Sequence, residues 1–577
     1  MAAGTKEMDR QAAAQTLQFL RSHNDWEIES RMTVALMDFD LSDEIVRKLL
    51  GRISDNSPLA KHLGKDRPAC GRAVVASSLF DADSLNALYT MCRESGERGL
   101  MLQLLALDNI HAAPASRTIP EIDVLINGLI AYLKRDVIDG WLYRRSQDGV
   151  LLPWLVTEMR YVAPPEGKPY VIVSLLANTM QAAGKETRGD ARQRYAGMTQ
   201  AILVHANDIV NRTIPELLAA YGFFKECPAF KAEYERHTKR FRHMQQQFGQ
   251  QFLATNIGWS SGALGKFDLL RLPKHGNARC VNDEEALERR FDTMIAPNFW
   301  RDAGAEERFD LIPTHCYLYL FHLEQHRNIW VHVENVEPYC YKPELRDRLV
   351  LPDVHRDLID ILTADIEMVA EDIIEGKSGG TTILCKGAPG LGKTLTAEVY
   401  AEVVGKPLYR VHSGQLGITV ESVEANLTKI LRRAARWGAI LLLDEADVYI
   451  RKRDNDLQHN AIVAEFLRTL EYFDGLLFMT TNRMDDVDDA ILSRCIAVIR
   501  YDTPSADAAR QLWRTLAAQF GADISEPLQE ELLARYPQVS GRDIKELIKL
   551  ATRYCAHKGL PLTAEVFALC AAFRGII

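Results

Sequence analysis

Residues 387–394 read Gly387-Ala388-Pro389-Gly390-Leu391-Gly392-Lys393-Thr394. They fill every fixed position of the phosphate-binding pattern G-x-x-x-x-G-K-[ST]. An apolar run at 381–384 precedes the pattern and a helix-favouring run at 395–404 follows it, so the sequence predicts strand, tight loop and helix in that order. The glycines let the backbone turn with no side chain in the way, so that consecutive NH groups can face an anion. The following helix adds the positive end of its dipole. Lys393 is then expected to reach the β and γ phosphates of ATP, and the Thr394 hydroxyl to hold Mg²⁺, which takes oxygen ligands. Ala388, Pro389, Leu391 and Leu395 complete the expected nucleotide-binding set. A bare Gly/Pro turn would leave both the filled positions and the flanks unexplained.

A chain of 577 residues is too long for one core, and the length predicts about three to four domains. Apolar residues make up 47% and charged ones 25%, as in a folded globular protein. The net charge of −9 offers no general attraction to nucleic acid or an anionic membrane. Ten cysteines with no C-x-x-C pair argue for free thiols in a reducing compartment. Residues 1–18 lack the apolar core of a signal peptide, and no uninterrupted apolar run approaches about eighteen residues. A cytoplasmic protein with no membrane partner is expected.

Helical spacing recurs over 9–133, clearest at 41–53 and 83–105, with Asp43 and Asp83 suited to early-turn or capping positions. A helical N-terminal region, 1–135, is therefore expected. A mixed α/β middle domain follows at 140–341. Strands are predicted at 151–161 and 170–176 around the turn Pro164-Pro165-Glu166-Gly167, helical spacing at 208–221, and a β-hairpin from 316–321 and 329–336. His315, His322, His326 and His332 invite a metal reading, but His322 and His326 lack the acid directly after the first histidine that a zinc helix needs. Ordinary strand histidines are the better expectation. Phe230, Tyr234, Phe241, Phe248 and Phe252 fall four or seven apart among basic residues, which predicts a core-facing helix edge with a solvated basic back rather than a nucleic-acid stripe. A linker spans 338–352, and Asp353 is placed to cap a helix over 355–375.

Beyond the loop, an apolar run at 439–443 ends in Asp444-Glu445-Ala446-Asp447, the expected Walker B strand about fifty residues on. Asp444 is suited to orient Mg²⁺ and Glu445 to polarise the attacking water. A third strand at 476–479 runs into Thr480-Thr481-Asn482. From here the chain resembles the AAA ATPase family, whose first sensor is a polar residue at such a strand end. The resemblance covers about 351–577. It implies that Asn482 is that sensor and that Arg494, in Ser493-Arg494-Cys495, is an arginine finger given to a neighbouring subunit. It also implies that 505–577 form a helical lid whose Ser540-Gly541-Arg542 carries Arg542 to bound nucleotide. Two features depart from the family. The segment 414–421, where threading members carry an aromatic pore-loop residue, has none, leaving Ile418 or Val420. The Ser-Arg-Cys context of Arg494 is closer to clamp loaders.

The fold expected from all this is an α/β P-loop NTPase core with a doubly wound parallel sheet at 353–504, a helical lid at 505–577, and the helical and mixed regions ahead of them. The function expected is Mg²⁺-dependent ATP hydrolysis in an oligomer, by the resemblance a ring, which remodels an unidentified protein partner chosen by the N-terminal domains. A clamp-loader-like or helicase-like machine on nucleic acid, and a nucleotide-gated switch with slow hydrolysis, remain open at this stage.

Overall fold

The computed structural model describes residues 38–364 and 380–576, apart from 66–71, 77–78, 96–99, 101–117, 120, 124, 134–137, 181–196, 262–266, 274–277, 288–310, 454 and 472. The N-terminal part is not helical throughout. β1 (Asp38–Ser42) and β2 (Arg72–Ala76) form an antiparallel pair amid the helices Asp43–Leu50, Pro58–Lys65, Ala82–Ser95 and Leu125–Leu133. The reason is local: Phe39 and Leu41 alternate and are buried, whereas helical spacing starts only after Ser42, whose side chain accepts from Ile45 N as an N-cap. Residues 9–37 of the expected helical region lie outside the described residues.

The expected boundary near 135–140 does not divide two cores. Phe39, Leu88 and Leu129 share one apolar cluster with Trp141, Leu155, Phe224 and Phe230. The strands there form an antiparallel sheet from β3 (Trp141–Arg145), β4 (Leu151–Val162), β5 (Tyr170–Asn178), β6 (Gly197–His205) and β7 (Phe223–Lys225), in the order β6-β5-β4-β3-β7. The helix expected over 208–221 forms only at Ile214–Ala220, because Pro215 fixes its first turn and Thr213 with Glu216 makes a capping box.

A second antiparallel sheet follows, built from β8 (Gln251–Ala254), β9 (Ile257–Ser261), β10 (Phe267–Arg271), β11 (Ala278–Asn282), β12 (Tyr317–His322), β13 (Arg327–His332) and β14 (Val336–Pro338). Its order is β10-β9-β13-β12-β11-β8-β14, and the expected hairpin is β12 with β13. The helix Pro228–Gln245 buries Phe230, Phe241 and Met244, so the aromatic stripe faces the core. Phe248 and Phe252 fall beyond the helix, the first exposed and the second buried in β8.

The third sheet is wholly parallel. β15 (Thr381–Gly387), β16 (Leu408–His412), β17 (Ile440–Asp444), β18 (Leu476–Thr481) and β19 (Ala497–Tyr501) lie in the order β16-β17-β18-β15-β19. β17 and β18 are buried along their whole length, as continuous apolar strands must be when both faces are covered. The helices Val420–Trp437 and Leu457–Leu470 cover one face through Leu427, Leu431, Val463 and Phe466. The helix Lys393–Val404 covers the other through Ala397 and Tyr400. Asp353–Ala364 forms the helix expected over 355–375 as far as it is described. Four helices, Ala506–Phe520, Glu526–Arg535, Gly541–Lys558 and Ala564–Phe573, pack around Trp513, Leu547 and Phe567 in a core of their own.

The seven-stranded and parallel sheets are joined by burial. Val281, Phe321 and Leu323 belong to the same apolar cluster as Tyr409, Leu427 and Trp437. Asp283, 2% exposed, accepts from Trp437 Nε1 at 2.8 Å, from Asn328 Nδ2 at 2.8 Å and from Arg436. Among the described residues no helix is long and apolar enough to cross a membrane.

Candidate functional site

The predicted loop 387–394, Asp444, Glu445 and Asn482 lie at the C-terminal ends of the parallel strands. β15 ends at Gly387 and the next helix begins at Lys393, so the loop between them points its backbone at the mouth of the sheet. Gly390 and Gly392 take φ of 84° and 101°, a region that side chains other than hydrogen disfavour. A Cβ on Gly390 would stand 2.8 Å from Ser540 Oγ and 3.0 Å from Arg542 Cβ. The lid lies that close, and Arg542 N donates to Gly390 O at 3.2 Å. Ala388, Pro389 and Leu395 are exposed around the rim, and Leu391 is half-buried.

Lys393 is buried and donates to Gly387 O at 2.7 Å, Ala388 O at 2.7 Å and Asn482 Oδ1 at 3.0 Å. Burial pushes its ammonium below the usual lysine value, against the raising pull of Asp447 and Asp444, and the Arg542 charge acts in the same direction as burial. Two cations thus converge on a loop of backbone NH groups, and the bonds that hold Lys393 are to neutral oxygens. This is the electrostatic arrangement an anion requires.

Thr394 Oγ1 donates to Asp444 Oδ1 at 2.9 Å. Thr480 Oγ1 donates to the same oxygen at 2.6 Å, and Arg410 Nη2 to Oδ2 at 2.6 Å. Burial raises the Asp444 carboxyl, but these hydrogen bonds and the Arg410 charge outweigh it and hold the group below the usual range. Two hard oxygen donors side by side, next to a phosphate-shaped loop, fit a magnesium ion held by Thr394 and Asp444. Glu445 follows in the left-handed region at φ 55°, with its N–H on Thr480 Oγ1 at 3.0 Å and its side chain exposed. Such a conformation is costly for a non-glycine residue and turns the carboxylate out of the strand line.

Asn482 N donates to Asp447 Oδ1 at 3.2 Å, and Thr481 Oγ1 donates to the same oxygen. Asn482 is therefore fixed at the strand end with its amide on Lys393. Arg494 closes the helix Asp489–Arg494, is exposed, and meets Glu471 Oε2 at 3.5 Å. Within one chain it is not joined to the Lys393 and Asp444 bonds. The segment corresponding to the pore loop is held by Tyr449, whose hydroxyl donates to Ser413 O at 2.8 Å and Gly417 O at 2.7 Å, leaving Ile418 exposed.

Sequence reasoning missed Arg410, Thr480 and Asp447 as parts of this network. Thr480 carried a signal, being a polar residue at the end of an otherwise apolar strand. Arg410 carried none, since only the pairing of β16 with β17 brings it to Asp444.

Of the four histidines, His322 and His332 close β12 and β13, whereas His315 precedes β12 and His326 lies in the turn between the two strands. His315 bonds to Thr179 Oγ1 at 3.1 Å and Pro153 O at 2.8 Å, and burial pushes it down to about 4. A different group, Glu233, His237 and Glu334, brings ligand atoms within 4.8 Å of one another. Arg236 already stands among them, bonded to Glu233 at 2.7 Å and to Glu334, with its Nη2 3.0 Å from His237 Nε2.

Comparison with known proteins agrees with this geometry. The family model "ATPase family associated with various cellular activities (AAA)" matches residues 383–503. An uncharacterized AAA family ATPase, y4kL, of Sinorhizobium fredii is 30% identical over 184 residues, which are 30% of this chain and 53% of that protein. The outer mitochondrial transmembrane helix translocase of Danio rerio is 26% identical over 37% of this chain and 55% of its own. Fidgetin-like protein 1 of Homo sapiens is 27% identical over 32% and 29% respectively. The chain spans about half the length of the first two of these relatives. Loop, acids and parallel sheet coincide with the matched segment, and residues 383–503 are an ATPase domain of the AAA family with its P-loop NTPase fold.

Proposed function

We propose that this chain is a Mg²⁺-dependent ATP hydrolase that acts as a head-to-tail oligomer closed into a ring and remodels a protein partner held through residues ahead of 351. The observation that carries the catalytic part is the continuous network from Lys393 through Asn482 and Asp447, beside Thr394, Thr480 and Asp444. Lys393 exchanges its bonds to Gly387 O and Ala388 O for the phosphate oxygens of ATP, which its buried charge favours strongly. Thr394 and Asp444 would hold a magnesium ion, which would supply charge neutralisation to the phosphates. Glu445 orients and polarises the attacking water, while Asn482 fixes that water against the γ-phosphate. Arg542 follows the lid onto the loop through its backbone bond to Gly390.

Arg494 supports the oligomer. Its weak, exposed pairing with Glu471 is worth little and yields readily to the phosphate of an adjacent protomer, and a head-to-tail contact that closes gives a ring. The polypeptide partner is supported by the translocase relative and by the exposed Ile418 that follows the tethered 413–417 loop.

The deciding experiment is ATP turnover against protein concentration for the wild type, Glu445→Gln and Arg494→Ala. Turnover per subunit that rises with concentration and is lost in both variants, with ATP still bound, is the expected result. Concentration-independent turnover with a fully active Arg494→Ala would remove the shared site and favour a monomeric switch.

A further inference from the structure

Asp444 does not meet the phosphate loop with both oxygens free. Its Oδ1 is held by the hydroxyls of Thr394 and Thr480, and its Oδ2 by Arg410. Arg410 sits on β16 in register with Leu442, and its guanidinium is shared: Nη2 is 2.6 Å from Asp444 and Nη1 is 3.5 Å from Glu398 Oε1. Its Nε is buried and has no hydrogen-bond partner among the described residues. The two carboxylates therefore hold this cation between them, one on the Walker B strand and one on the helix that opens with Lys393.

A positive charge held against a carboxylate weakens the attraction which that carboxylate offers to a second cation. The carboxylate that Arg410 touches is the one expected to serve magnesium. We propose that Arg410 is a positioning residue that acts through Asp444 as a resident counter-charge. It keeps Oδ2 occupied, leaves Oδ1 as the metal-facing oxygen, and lowers the Mg²⁺ affinity of the site. Glu398 sets the strength of the effect by drawing part of the guanidinium charge away from Asp444. A moderated grip on magnesium favours departure of the metal with ADP, a step that limits turnover in many enzymes. This inference rests on the reading of Thr394 and Asp444 as the magnesium site.

The test is fluorescent ADP binding followed as Mg²⁺ is titrated from an EDTA-treated start, in the Glu445→Gln chain so that hydrolysis does not intervene. Arg410→Gln keeps an N–H donor for Oδ2 and removes the charge. It is expected to lower the half-saturating Mg²⁺ concentration by about tenfold, the scale of one unit charge at an effective protein dielectric after solvent screening. Arg410→Lys retains the charge and is expected within about threefold of the parent, while Glu398→Gln releases Arg410 toward Asp444 and is expected to raise the requirement about threefold. General damage to the site would move Arg410→Gln and Glu398→Gln the same way. Opposite shifts support the proposal. An Arg410→Gln chain that needs as much Mg²⁺ as the parent, or more, overturns it, and so do shifts of the two variants in one direction. A parent whose ADP binding does not respond to Mg²⁺ at any concentration would instead sink the magnesium-site reading itself.

Discussion

Two clusters of acids in this molecule look alike until their donors are compared. Asp444 is buried at the end of the parallel sheet, and Glu233, buried on the helix Pro228–Gln245, stands near Glu334, an exposed residue between β13 and β14. Each cluster contains an arginine. At Asp444, however, one oxygen is held by threonine hydroxyls alone, which are neutral and can turn a lone pair toward a cation. At Glu233 and Glu334 the side-chain donors are Arg236 and His237, so a metal could enter only by expelling a charge. The two clusters are alike in their acids and differ in the donors that hold them.

Asp283 belongs with the second kind, because Arg436, Trp437 and Asn328 hold it where the two sheets meet. Asp283→Ala should bring the largest loss in stability, about 3 kcal/mol, since breaking a buried pair strands its partners. Urea unfolding measures it, and a loss under about 1 kcal/mol would mean the sheets do not depend on this contact. Asp444→Asn is expected to behave oppositely, cutting ATP turnover about a hundredfold or more through lost preorganised charge while the fold persists. Normal turnover in that variant would place Asp444 among the structural acids and dissolve the comparison. Smaller again is Arg236→Met, expected to cost about 2 kcal/mol because Arg236 is 31% exposed and partly solvated. Thermal melting with and without Zn²⁺ sharpens the point. The wild-type Tm should not respond to Zn²⁺, and a clear rise would show that Arg236 is not the resident cation.

How much of this was legible beforehand follows the same division between local and distant pairing. The strand, loop and helix around 387–394 and the apolar strand that ends at Asp444 could be read because each is written in neighbouring residues, whose spacing physical chemistry constrains. The hairpin β12–β13 was readable for the same reason. Arg410 reaches Asp444 only through strand pairing, and Asp283 reaches Trp437 across 154 positions. Neither contact leaves a periodic trace in the chain. The strand pair β1–β2 was missed because five alternating residues were absorbed into the helical spacing that follows them. The joint core of 39–230 was missed because an apolar residue does not declare its partner.

The finest distinction between the two clusters is their response to pH. Burial works against a charged His237, yet hydrogen bonds and charge from Glu233 and Glu334 raise it above the ordinary histidine value. At Glu334 the His237 hydrogen bond is the largest influence and carries the carboxyl down to about 2, and at Glu233 the bonds to His237 and Arg236 overcome burial to the same end. His332, whose ring is 4.7 Å from that of His237, is kept neutral by burial. The stability owed to His237 is therefore complete below its unfolded value of about 6.5 and is lost as pH rises through its higher folded value. The stability owed to the two carboxylates is complete above about 4.5 and is lost as pH falls toward about 2. Glu334→Gln removes part of both contributions, so its deficit in Tm should be greatest between about pH 5 and 6.5 and shrink at either side. If the cluster were instead tied to hydrolysis, turnover of Glu334→Gln would follow that same profile. A turnover ratio to wild type that stays flat across the window, beside a Tm deficit that does not, separates an ion network serving the fold from one serving ATP.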